Sequence, residues 1–184
     1  MTTNTTCACC APPFSHRHGM NRRGMLGLAA GLLGAAAFGR GARAADGTTY
    51  DSMLLTCIDP RFVTTVNGWM DTQHLKGQYS QFAIAGASIG VVAPAFAGWA
   101  PAFWDNLGAS MQLHKIKRVM VVNHRDCGAA KIAYGADAVA SRDAETALHR
   151  KVFAEFKAQL AQKQPSMGIA GGLIGLDGTL ESLA

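Results

Sequence analysis

The chain predicts an α/β fold, with a mostly parallel β-sheet flanked by helices and an antiparallel edge strand near the C-terminus. Three observations carry that expectation. Short apolar runs bounded by polar residues alternate with segments of helical spacing, which implies β-α units and a parallel sheet covered on both faces. The run Val119-Met120-Val121-Val122 marks the clearest strand. Near the end, Asp177-Gly178 stands between apolar residues, which is a hairpin turn signal.

In chain order, residues 52–57 (Ser-Met-Leu-Leu-Thr-Cys) read as a buried strand. Residues 59–72 follow with Phe62, Val63, Val66, Trp69 and Met70 at helical spacing. Residues 81–85 form a second strand, ending in Gly86-Ala87-Ser88. The Gly-, Ala- and Pro-rich stretch 90–101 reads as a loop or irregular crossover, and a helix is expected over 102–114. Strand 117–124 comes next, then a short helix from Gly128 and a long one over 141–162. The tail, 167–183, carries the Asp-Gly turn. No internal repeat, low-complexity tract or charge block interrupts the region after Ala45.

The 184 residues suffice for one domain with a substantial core. With 49% hydrophobic and 16% charged residues, the chain is expected to be globular rather than disordered. Its formal charge of +5 is unevenly placed. The first 44 residues hold five arginines (Arg17, Arg22, Arg23, Arg40, Arg43) and no acid. Without them, 12 basic residues of the original 17 face 12 acidic ones, so no nucleic-acid partner is expected.

Those 44 residues have the layout of an export signal. Arg22-Arg23 precedes an apolar stretch over 25–38, and Ala42-Arg43-Ala44 is an A-x-A cleavage pattern. The stretch is short and rich in Gly and Ala for a membrane span. The segment over 21–26 looks like a twin-arginine signal, which implies export of a folded protein to the bacterial periplasm. An ordinary secretory signal or an uncleaved anchor is the alternative. The expected division is therefore 1–44 as a removed signal and 45–184 as the mature domain, with no stable membrane span. Cys7, Cys9, Cys10, His16 and His18 fall in the leader, and a metal role for them is set aside with it.

Two motifs carry chemistry, and both end strands, where ligands bind in parallel sheets. The first is Cys57-Ile58-Asp59-Pro60-Arg61; the second is His124-Arg125-Asp126-Cys127-Gly128. Cys57 and Cys127 are the only cysteines after residue 44. Two thiolates and an imidazole supply three ligands to a tetrahedral zinc and leave the fourth position for water, the ligand count of a catalytic site. His124 and Cys127 are close enough in the chain to share one ion, and Cys57 reaches it if the two strands adjoin. Zinc would bring the pKa of bound water to about 7. Asp59, gripped by Arg61, would stay ionised and accept a hydrogen bond from the zinc-bound hydroxide. Were Arg61 displaced, the carboxylate could swing onto the metal and close the open position.

Cys-x-Asp-x-Arg followed by His-x-x-Cys-Gly resembles the signature of the β-class carbonic anhydrases. The resemblance runs from about Met53 to the C-terminus, with 171–183 resembling that family's closing strand and turn. It implies a β-carbonic-anhydrase-like fold, zinc on Cys57, His124 and Cys127, catalytic Asp59 and Arg61, and a homodimer or higher homo-oligomer. The implied reaction is reversible hydration of carbon dioxide to bicarbonate and a proton by zinc-bound hydroxide. Gly86, Ser88 and Gly128 are candidate substrate contacts. The sequence departs from the family in lacking the asparagine of an Asn-Ala-Gly segment (here 84–88 reads Ile-Ala-Gly-Ala-Ser) and in its 90–101 insert. Two other readings stay open: a zinc hydrolase of carbon disulfide or carbonyl sulfide, and a zinc- or bicarbonate-binding protein without turnover.

The blander readings are stated beside these. Cys57 and Cys127 could pair as a disulfide in an oxidising compartment, which leaves His124 and the Asp-x-Arg unexplained. Arg125 and Asp126 read as loop residues, and Ser88 as a turn former. His74, His114 and His149 have no partners at ligand spacing. Trp69, Phe96, Trp99, Phe103 and Trp104 read as core or interface, with a pocket wall as the alternative.

Overall fold

The structure, a computed structural model, describes residues 49–183. The expected export segment and its cleavage position lie outside the described residues. Five strands form one sheet in the order β2-β1-β3-β4-β5. They are β1 (Ser52–Thr56), β2 (Tyr79–Ala83), β3 (Arg118–His124), β4 (Gly168–Ile174) and β5 (Leu180–Ser182). The first four run parallel, and β5 returns antiparallel to β4. The Asp177-Gly178 turn joins that last pair as its sequence predicts.

The helices are α1 (Val63–Thr72), α2 (Ser88–Val92), α3 (Ala100–His114), α4 (Gly128–Tyr134) and α5 (Arg142–Lys163). Alternation along the strands divides the core in two. Leu54, Met120, Val122 and Ile174 project to one face, where Phe62, Val66 and Met70 cover them. Met53, Leu55, Val119, Val121 and Leu173 project to the other, under α2, α3 and α5. Helix α5 supplies Leu148, Val152, Phe153, Phe156 and Leu160 at spacings of three and four to that face. Ser141 caps α5 by accepting the Ala144 N–H at 3.1 Å, which explains where the helix begins. Among the described residues, no helix is long and apolar enough to cross a membrane.

One expected element differs. Residues 90–101 are not a loop: α2 is followed by a 3-10 segment (Pro94–Trp99) and then directly by α3. Ile89, Val91, Val92 and Ala93 are buried there. Small side chains serve close packing, since a Cβ on Gly90 would lie 2.5 Å from the Ala85 carbonyl oxygen. Pro94 and Pro101 sit in first turns, where the missing N–H costs nothing.

Candidate metal centre

The chain leaves β1 to one side, forming β2, and returns on the other side as β3. The gap between the C-terminal ends of β1 and β3 is therefore the sheet's switch point, where α/β sheets bind ligands. Thr56 lies opposite Val122, so Cys57 and His124 leave adjacent strands almost level. His124 shares the parity of Met120 and Val122, and its ring stacks on Phe62 at 4.2 Å. Asn123 faces the other way and accepts the Ser88 N–H at 3.2 Å and its hydroxyl at 2.9 Å. A two-residue turn then returns Cys127 to the start of α4.

This path gathers Cys57, His124 and Cys127, all buried, with their ligand atoms within 4.8 Å of one another. The imidazole Nδ1 lies 2.8 Å from the Arg125 carbonyl oxygen. A carbonyl accepts only, so Nδ1 carries the proton and Nε2 presents its lone pair. That Nε2 is buried and has no hydrogen-bond partner. An orphaned imidazole nitrogen beside two sulfurs is the donor set of a soft or borderline metal ion, and the three residues fit one. Hydrogen bonding from Cys127, aided by the Gly86 N–H, holds Cys57 well below the ordinary thiol range against the cost of burial. Cys127, beside that thiolate and buried, is raised. Burial opposes charge on His124, but the Cys57 sulfur and the Arg125 carbonyl outweigh it and raise its pKa.

Asp59 and Arg61 meet as their spacing predicts. Arg61 donates Nε to Asp59 Oδ1 at 3.0 Å and Nη2 to Oδ2 at 2.8 Å, while its backbone N–H also reaches Oδ1. The guanidinium holds Asp59 down at about 2, so it is ionised at neutral pH. Asp59 Oδ2 stands 3.9 Å from His124 Nε2. A cavity of about 380 Å³ opens on the group. Its polar lining is Asp59 with the three metal-ligand candidates; the rest is apolar wall, chiefly Ile58, Pro60, Ala85, Phe96, Trp99 and Ile132.

Residues 48–156 match the model of a family described as "Putative carbonic anhydrase". The chain belongs to this family. An uncharacterized protein of Rickettsia conorii is 26% identical over 132 residues, covering 72% of this chain and 71% of that protein. A carbonic anhydrase from Glaciozyma antarctica aligns with a TM-score of 0.49 at 21% identity, covering 81% of this chain and 90% of that one. The β-carbonic anhydrase CafA of Aspergillus fumigatus aligns with a TM-score of 0.48 at 13% identity, covering 75% of this chain and 78% of that one.

Within this carbonic anhydrase family member, the other candidate residues take distinct places. Gly128 lines the cavity. Gly86 donates its N–H to Cys57 Sγ at 3.1 Å. Ser88 is fully buried with its hydroxyl on Asn123, and it is not part of the cavity lining. Phe96 and Trp99 stack at 4.3 Å and wall the cavity, so two of the five aromatics take the pocket reading. Phe103 is core, Trp104 stacks on Phe156 at 5.9 Å, and Trp69 packs beside α1's core residues.

Arg125 and Asp126 do lie in a loop, yet both brace the centre. Arg125 is buried and donates to Glu145 at 3.1 Å, Thr146 at 2.8 Å and Glu181 at 2.6 Å. Asp126 accepts Arg61 Nη1 at 2.9 Å. The available signal was two charged residues set between two candidate ligands in a chain with few charges. Glu145 and Glu181 carry no such signal.

Proposed function

We propose that the protein is a zinc-dependent carbonic anhydrase, a lyase that reversibly hydrates carbon dioxide to bicarbonate and a proton. The observation that carries this reading is the Asp59 carboxylate, held by Arg61 and standing 3.9 Å from the unpartnered Nε2 of His124. Cys57, His124 and Cys127 would hold zinc, which supplies a water acidified to a pKa of about 7.

The chain's own residues supply the rest. Ionised Asp59 is a pure acceptor, so an attacking oxygen beside it gives Asp59 its proton as a hydrogen bond and turns a lone pair outward. Arg61 keeps that carboxylate charged and fixed in direction. The apolar wall of Ile58, Phe96, Trp99 and Ile132 suits a small uncharged molecule and offers no second anchor for a charged one. Attack forms one C–O bond, opens one C=O double bond, and leaves a proton that passes to solvent.

Stopped-flow hydration of carbon dioxide by zinc-loaded protein tests this. Turnover that a chelator abolishes and zinc restores is the expected result. Hydrolysis of carbonyl sulfide or carbon disulfide without hydration would replace the substrate, and no turnover with zinc bound would leave a binding protein.

Export to the periplasm is part of the same proposal, supported by Arg22-Arg23 and the Ala42-Arg43-Ala44 pattern. N-terminal sequencing of periplasmic protein should begin at Ala45. A homo-oligomer is supported by the edge position of β2 and by Ile58 and Trp99, which are 60% and 40% exposed beside it. Light scattering on the purified protein checks the mass.

A further inference from the structure

Arg61 is shared between two aspartates. On one side it grips Asp59. On the other, Nη1 reaches Asp126 Oδ2 at 2.9 Å and Nη2 reaches the Asp126 carbonyl at 3.1 Å. The remaining oxygen of Asp126 accepts Lys131 Nζ at 3.1 Å. Asp126 is itself over-determined. Its φ of 54° lies in the left-handed region, which is costly for a residue with a Cβ. Glu145 holds its N–H while Arg61 holds its carbonyl and carboxylate.

We propose that Asp126 is a positioning residue: by anchoring Arg61 from the side opposite Asp59, it keeps Asp59 off the metal and one coordination position open to outside ligands. The inference rests on Cys57, His124 and Cys127 being the metal ligands. Exposed ion pairs contribute little singly, but here one planar guanidinium spans both partners. Arg61 is 42% exposed, so without the Asp126 carboxylate only the Asp126 carbonyl holds its outer side, and the guanidinium is freer to turn to solvent. Asp59 would then lose its guanidinium contacts and keep only the Arg61 backbone N–H on Oδ1. Its Oδ2 already stands 3.9 Å from His124 Nε2, so a small rotation brings it to an ion bound there. A closed site of this kind has no room for another ligand.

The test uses cobalt-substituted protein titrated with thiocyanate, read from the cobalt visible bands. Asp126→Gly removes the carboxylate and tolerates a positive φ. It should take up cobalt as the wild type does and bind thiocyanate at least about tenfold more weakly, the scale expected for a lost outer-sphere contact. Losing a negative charge by itself would strengthen anion binding, so the direction identifies the mechanism. In the double variant Asp59→Ala/Asp126→Gly, no carboxylate remains to close the site, and binding should return to that of Asp59→Ala alone. Unchanged binding in Asp126→Gly, or a double variant as weak as the single one, overturns the inference. A wild type that takes up no cobalt overturns it together with the ligand assignment.

Discussion

Arg125 and Glu145 form a buried ion pair at 3.1 Å, and each also touches the candidate metal centre, Arg125 through its own carbonyl and Glu145 through the Asp126 N–H. The carbonyl of Arg125 fixes the His124 tautomer, and the second oxygen of Glu145 takes the Asp126 N–H. Glu181 on β5 joins the pair, so the last strand of the sheet is tied to the ligand turn.

Replacing Arg125 by Met should cost about 3 kcal/mol or more, because Glu145 is left buried without its counter-charge. Zinc affinity should fall about 10- to 100-fold as the ligand turn loosens. Urea unfolding and competition against a chromophoric chelator measure the two effects. A variant that loses stability while keeping full affinity would break the proposed link.

Cys57→Ala and His124→Ala should lose zinc and turnover together, read by metal analysis and stopped flow. Asp59→Asn should keep zinc and lose about 10²- to 10⁴-fold in turnover, since an amide no longer supplies a charged acceptor. Unchanged turnover in Asp59→Asn would remove Asp59 from the mechanism.

Gly86→Ala should destabilise and disturb Cys57. The residue has φ +81°, and an added Cβ would lie 3.0 Å from both Ala129 Cβ and Ile89 Cβ. Backbone strain of this kind costs about 1–3 kcal/mol. The shift would also misplace the N–H that supports Cys57 Sγ. Zinc affinity reports the second effect independently of the melting point.

His149 should make the protein acid-sensitive. It is fully buried with neither ring nitrogen bonded, and burial lowers it from 6.5 to about 4, with His124 and Arg125 adding to the shift. The unfolded chain takes up this proton near 6.5 and the folded one only near 4. Between those values the unfolded state binds more protons, so stability falls as pH falls and levels off below the lower value. The loss totals about 3 kcal/mol for a shift of that size. His149→Leu should flatten this dependence in urea midpoints taken between pH 7.5 and 4; an unchanged slope would assign it to other groups.

Much of the fold was legible because its signals are local. The apolar runs at 52–57 and 117–124, the helical spacing over 59–72 and the Asp177-Gly178 turn each reflect residues within a few positions of one another. The stretch 90–101 was misleading for the same reason. Gly, Ala and Pro resemble a loop when read locally, whereas here the small residues let α2 press against Ala85 and the prolines open helices.

The sequence by itself determined the chemistry available at each strand end: an Asp-x-Arg that closes on itself over two residues, and a His-x-x-Cys that shares one turn. Tertiary structure decided what those halves meet. Strand order places β1 beside β3, and only that adjacency brings Cys57 to His124 and Cys127. It also sets Arg61 against Asp126, Arg125 against Glu145 and Glu181, and His149 in the core. Spacing along a chain constrains contacts within a turn or two. Contacts across 20 to 70 residues depend on register and crossover, which arise only when both faces of the sheet are covered together.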